Sequence, residues 1–239
     1  MDFKRLLIEY AASMDLYIDF EAAERLEEYK ALLIEWNEKM NLTAITDEKE
    51  IIIKHFLDSL SALKYMELLP FSKSVDIGTG AGFPGIPLKI LRPDAEFTLL
   101  DSLNKRVNFL NTVIDKLSLK NIEAVHMRAE EGASKKEYRE SFDYCFSRAV
   151  ASLSVLSEYC LPYVKKGGSF VSYKGPDTKE EIASSQNALK ILGGKIKKEK
   201  KVQLPQSDII HSLIFIEKIS HTPAKYPRKP GVIKEKPII

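Results

Sequence analysis

Cysteine is scarce in this chain. Cys145 and Cys160 are the only two in 239 residues and they form no C-x-x-C pair, so thiolate metal sites and a disulfide framework have no support. His126, His211 and His221 show no metal-ligand spacing. His55, Asp58 and Ser59 have the residue types of a hydrolytic triad, but they crowd one helical turn and no nucleophile elbow accompanies them, so helix packing or capping is the expected role. No apolar run approaches the ~20 residues of a membrane span. The opening stretch, MDFKRLLIEY, carries charges within its apolar run and no small-residue cleavage site. No signal peptide is expected, and the cytoplasm is the default location. There is no internal repeat.

What is present begins with a composition fit for a packed core. Hydrophobic residues make up 44% of the chain. The net charge of +2 conceals an asymmetry: residues 1–163 balance to −7 and residues 164–239 to +9. A basic final third on a slightly acidic body suits a polyanionic partner.

Residues 1–70 read as a helical extension. Leu26, Tyr29, Leu33, Trp36 and Met40 form one apolar stripe at helical spacing. Asp47 with Glu50 is a capping-box variant, and Ile52, Phe56, Leu60 and Leu63 continue a second stripe. The polar break Asn41–Ile45 separates the two. Over 71–220 the pattern alternates. Strands are predicted at Val75–Gly78, Phe97–Asp101, Ile122–Met127, Phe142–Ser147 and Ser169–Tyr173. Helices are predicted at Lys105–Leu117, Ala151–Tyr163 and Lys179–Leu192. Such alternation implies βαβ units and a mostly parallel sheet. Lys195–Leu204 and His211–Ile219 follow without a helix between them, which predicts an antiparallel end to the sheet. The Pro- and Lys-rich residues 221–239 read as an extended or mobile tail.

The most informative stretch is DIGTGAGFPG, residues 76–85, directly after the first strand. In one frame, Gly80-x-Gly82-x-x-Gly85, it is a dinucleotide fingerprint. In the other, Asp76-x-Gly78-x-Gly80-x-Gly82, it is an S-adenosylmethionine loop. Pro84 and Pro87 remove backbone donors that a pyrophosphate needs at the following helix start. Asp76 suits a cationic amino-acid ligand and repels phosphate. The loop therefore reads as an S-adenosylmethionine site. Asp101, at the tip of the second strand, can accept from both ribose hydroxyls or can cap a helix. Ala129-Glu130, after the third strand, can grip an adenine edge.

These motifs occur in order with Asn37–Ile45 (N-E-K-M-N-L-T-A-I), His55–Leu60, Leu99–Leu110 and Ser147–Val150. Together they resemble the bacterial small-subunit (16S) ribosomal RNA guanine-N7 methyltransferases, formerly called glucose-inhibited division protein B, over roughly residues 20–220. The resemblance implies a Rossmann-like class I methyltransferase sheet with an antiparallel last strand and a helical N-terminal extension. It places cofactor contacts on Gly78, Phe83, Ala129, Glu130 and Arg148, to which the motif reading adds Gly80 and Asp101. Its substrate is 16S ribosomal RNA or the small ribosomal subunit, with no membrane partner, and a monomer is expected. Guanine N7 attacks without losing a proton, so no catalytic residue is expected beyond positioning. N7 lies on a groove edge that side chains do not reach in A-form RNA, so the target is a loop or flipped base. Lys174, Lys165 and Lys166, with Lys105 and Arg106, are the basic residues expected along its backbone. Two alternatives remain at this level: an NAD-dependent oxidoreductase, and a non-catalytic RNA-binding assembly factor with a vestigial cofactor site.

Overall fold

The structure, a computed structural model, describes residues 2–238. Two helices open it, α1 (Phe3–Ser13) and α2 (Phe20–Met40). The Asp19 carboxylate caps α2 by accepting from the Ala22 N–H at 2.7 Å, and Asn41 ends it in a left-handed conformation. Leu26, Tyr29 and Leu33 of the apolar stripe are buried. The third helical rod starts where expected, with Asp47 accepting from the Glu50 N–H at 3.0 Å. It is not uniform: α3 (Glu48–Glu50) passes into a π-helical stretch, Ile51–Leu57, before α4 (Asp58–Leu60) and a 3-10 turn, Ser61–Lys64. A π-helical stretch is rare and is found mostly where function places a constraint.

The remainder is the alternating unit: β1 (Lys73–Ile77), α5 (Gly85–Leu91), β2 (Glu96–Asp101), α6 (Asn104–Lys116), β3 (Ile122–His126), α7 (Ala129–Gly132), β4 (Phe142–Ser147), α8 (Leu153–Cys160), β5 (Val164–Lys174), α9 (Lys179–Leu192), β6 (Gly194–Gln203), β7 (Ile210–Lys218) and α10 (Pro230–Glu235). The seven strands lie in the order β3-β2-β1-β4-β5-β7-β6. The first five run parallel, and β7 inserts antiparallel to both β5 and β6. The expected α/β architecture is therefore present, including its antiparallel end. One apolar cluster joins α1, α2 and the rod over residues 48–64 to one face of the sheet, through Phe97, Leu99, Phe146, Val171 and Phe215. A second cluster packs α8 and α9 on the other face.

Two expectations are corrected. The strand predicted at Ser169–Tyr173 begins five residues earlier, because Gly167 and Gly168 continue it through a register irregularity opposite β4. The tail is docked rather than loose. Tyr226, Ile233 and Ile238 are buried in the second cluster, and α10 contacts α8.

Candidate active site

Parallel α/β sheets bind ligands beyond the carboxyl ends of their strands, and here those ends carry two adjoining cavities. The first, about 470 Å³, opens between the glycine loop, the end of β3 and the start of α8. Gly78, Ala129 and Glu130 line it, with Ser102, Leu156 and Tyr159. Its volume lies in the range of small-molecule sites, and its walls mix apolar side chains with a few polar ones, as such sites do. Ala129 is fixed from behind by the Tyr163 hydroxyl, which donates to its carbonyl at 2.6 Å. Glu130 is buried at 9% exposure. A buried carboxylate beside apolar walls needs a hydrogen-bonding partner, and an adenine amino group fits that need.

Gly78 and Gly80 both have positive φ. Gly82 is the position where glycine is obligatory: its φ is +100°, and a Cβ there meets the Tyr29 hydroxyl at 2.7 Å and Ile86 at 2.5 Å. That hydroxyl donates to the Ala81 carbonyl, so α2 grips the loop directly. Asp76 braces the loop through one of its two carboxylate oxygens. It is fully buried, and its Oδ2 accepts from the Thr79 hydroxyl at 2.7 Å and the Gly85 N–H at 2.9 Å. Burial raises its pKa to about 7 against the pull of those bonds. Asp101 is likewise engaged inside the protein: Oδ2 accepts from the Gly80 N–H and Oδ1 from the Leu103 N–H, each at 2.9 Å. In this structure it ties the loop to the entry of α6 and is not among the residues lining the cavity.

Phe83 and Arg148 also stand apart from that cavity. Phe83 is buried, stacked on the His55 ring at 4.5 Å and close to Tyr29 and Phe56. The Arg148 guanidinium lies 5.6 Å from its ring centroid and reaches into the helical rod. There it pairs with Asp58 Oδ2 at 3.1 Å and donates to the Ser59 hydroxyl at 2.9 Å and to the carbonyls of His55 and Lys54. His55 is thus a ring in an aromatic stack. Burial, then Arg148, lowers its pKa to about 4, and Nε2 lies 2.9 Å from the Thr43 hydroxyl.

Arg148 lines the second cavity, about 540 Å³, with Asp58, Tyr173, Lys174, Glu181 and His211. His211 Nδ1 lies 2.7 Å from Asp58 Oδ1. Lys174 pairs with Glu181 at 2.6 Å and donates to the Ala151 carbonyl. Both cavities share the segment Ala149-Val150-Ala151, in which Val150 is fully exposed.

The three lysines grouped by sequence do not share a surface. Lys174 ends β5 at the cavities, whereas Lys165 and Lys166 begin it. At about 3.3 Å per residue that strand separates them by on the order of 30 Å. Lys165 instead pairs with Asp143 at the amino end of β4. Asp58, Glu181 and His211 converge from residues up to 153 positions apart, and no spacing signal announces them. Among the described residues no cluster suits a metal ion.

The family model described as rRNA small subunit methyltransferase G matches residues 22–210. The chain belongs to that family. It is similar to proteins named ribosomal RNA small subunit methyltransferase G from Alkaliphilus metalliredigens, 54% identical over 100% of both chains, and from Clostridium perfringens, 49% identical over 100% of both. A third, from Desulforamulus reducens, is 53% identical over 97% of each chain. Among solved structures, TrmN from Thermus thermophilus aligns with a TM-score of 0.53 at 13% identity, over 67% of this chain and 48% of that one. TYW2 of M. jannaschii, solved in complex with AdoMet, gives 0.53 at 14% identity, over 68% and 77%. These two likenesses establish the fold, the Rossmann-like class I methyltransferase sheet. Membership in a methyltransferase family gives no support to the oxidoreductase frame or to a non-catalytic assembly factor.

Proposed function

We propose that this protein transfers a methyl group from S-adenosylmethionine to N7 of a guanine in small-subunit (16S) ribosomal RNA, in the cytoplasm. The cofactor lies in the cavity of Gly78, Ala129 and Glu130, and the target base in the neighbouring cavity of Arg148, Lys174, Glu181 and His211. The observation that carries this reading is the pair of cavities meeting at Ala149–Ala151: two reactants held on either side of one short segment are adjacent without a diffusive step. Such positioning supplies up to about 7–11 kcal/mol of a barrier.

When bound, the cofactor supplies a methyl group on a cationic sulfonium, open to in-line attack by the lone pair of N7. Attack releases no proton, so the protein needs no base. Its task is to orient a base that becomes cationic. The second cavity suits that task because its permanent cations are already matched: Arg148 with Asp58, Lys174 with Glu181. Guanine presents O6 as an acceptor on the edge that carries N7. In this reading Lys174 donates to O6, and the Glu181 carboxylate paired with it accepts from the adjacent N1–H and 2-amino group.

The test is transfer of labelled methyl groups to ribosomal RNA from cells lacking the protein, followed by identification of the nucleoside. Labelled 7-methylguanosine, lost in Glu181→Ala with cofactor affinity unchanged, is expected. Label in any other nucleoside overturns the assignment.

A further inference from the structure

The tail does more than pack. Three polar anchors hold residues 221–238 against the body. The Arg139 guanidinium donates to the carbonyls of Thr222 at 2.8 Å, Tyr226 at 2.8 Å and Pro223 at 3.3 Å. The Glu140 carboxylate accepts from the Thr222 N–H at 2.7 Å and pairs with buried Lys218 at 3.0 Å. Glu158, buried in α8, takes the backbone N–H of Arg228 at 2.8 Å and its guanidinium at 2.6–3.2 Å. The same guanidinium donates to the Lys236 carbonyl at 2.9 Å and so also fastens the end of α10. Charge-assisted, multidentate bonds of this kind are the strong ones.

These anchors set α10 against the first cavity. Gly231 and Lys234 line it together with Gly78, Ala129 and Glu130. Glu158 sits between Leu156 and Tyr159, which line the same cavity from α8. The latch and the wall are therefore one piece of structure. The stretch matched by the family model ends at residue 210, before the tail begins.

We infer that residues 221–238 form the outer wall of the cofactor site, latched by Arg228 on Glu158, and that this docking and cofactor binding support each other. The inference rests on the cavity being the cofactor's. A ligand that touches the docked tail favours docking, and by linkage a loosened tail weakens the ligand by the same factor. Arg228 acts here as a positioning residue, through the helix it holds.

The experiment uses the full chain and S-adenosylhomocysteine as the probe. In calorimetry, Arg228→Ala is expected to weaken the probe at least fivefold, and Arg228→Lys to recover part of that loss. Hydrogen exchange is read on the wild-type chain, where folding is not in question: saturating probe is expected to slow exchange at the amides of residues 229–236. Ala129→Trp, which fills the cavity, serves as the control. If that variant binds the probe normally, the cavity reading fails and the tail inference falls with it. If it abolishes binding, while Arg228→Ala leaves affinity unchanged and the probe leaves 229–236 unprotected, the tail inference alone is overturned.

Discussion

The two ends of the sheet carry cavities of nearly equal size and very different character. At the amino ends, a space of about 530 Å³ is bounded by Lys73, Glu96, Glu123, Glu137 and Tyr138. Its ion pair, Lys73 with Glu96, stretches to 3.9 Å, and both side chains are about half exposed. At the carboxyl ends, Asp58 is 2% exposed and held between Arg148 and His211, and Lys174 is 8% exposed against Glu181. Exposed pairs are held in place by little energy, with a typical worth of about 0–1 kcal/mol. A buried charge persists only where partners surround it. Volume does not separate the two ends; buried charge does.

The strongest way to break this comparison is Arg148→Ala. It leaves Asp58 buried with only the imidazole of His211, and withdraws donors from Ser59 and two carbonyls of the rod. Breaking one side of a buried pair costs about 3–5 kcal/mol, so a loss near 3 kcal/mol is expected in urea unfolding. Methyl transfer is expected to fall at least a hundredfold, measured under conditions where the variant stays folded. A loss below 1 kcal/mol would mean that Asp58 is as well solvated as the pairs at the other end.

A second test uses the two titrating groups beside the glycine loop, which act in opposite directions. His55 is lowered to about 4, so its contribution to stability is present above the ordinary value of 6.5 and is lost as pH falls through 4. Asp76 is raised from 3.8 to about 7, so its contribution is present below 3.8 and is lost as pH rises through 7. Between pH 4 and 6.5 the two oppose each other. His55→Phe keeps a ring on Phe83 and removes one of them. Comparing unfolding free energies at pH 7.5 and pH 4.5, the variant should gain on the wild type by on the order of 2 kcal/mol at the acid end. Parallel curves would show that His55 titrates normally.

The sequence made the strands and α9 readable because alternation and helical periodicity are local. The glycine loop was readable as well, since Gly78, Gly80 and Gly82 are needed for backbone reasons that leave a mark at each position. Side-chain convergence leaves none. Arg148, Asp58 and His211 meet only because β4 ends, the antiparallel β7 begins and the rod passes at one place, and the sequence distances among them follow no period. Nor does sequence alone show that Phe83 stacks on His55 beneath the Arg148 guanidinium, or that Arg148 also lines the second cavity. The docked tail is hidden from sequence for a different reason. Prolines and lysines dilute it, and its buried residues, Tyr226, Ile233 and Ile238, follow neither a helical nor a strand period. Its anchors, Arg139 and Glu158, lie about 70–90 residues away.

The smallest effect is expected where composition suggested a large one. Lys165 and Lys166 belong to the basic final third, yet they open β5 at the end of the sheet remote from both cavities, and Lys165 is already paired with Asp143. Lys105 is exposed at the start of α6, directly after the tip of β2, on the side where the cavities open. A lysine that neutralises a phosphate releases a counterion, so its loss lowers the slope of log affinity against log salt by about 0.7–0.9. Lys165→Ser with Lys166→Ser should leave that slope within error for a ribosomal RNA fragment, while Lys105→Ser alone should reduce it by nearly one. Stability should hardly move in either case, since none of the three side chains is buried. The opposite ranking, with the pair on β5 flattening the slope and Lys105 silent, would put the RNA on the amino-end face and separate the binding surface from both cavities.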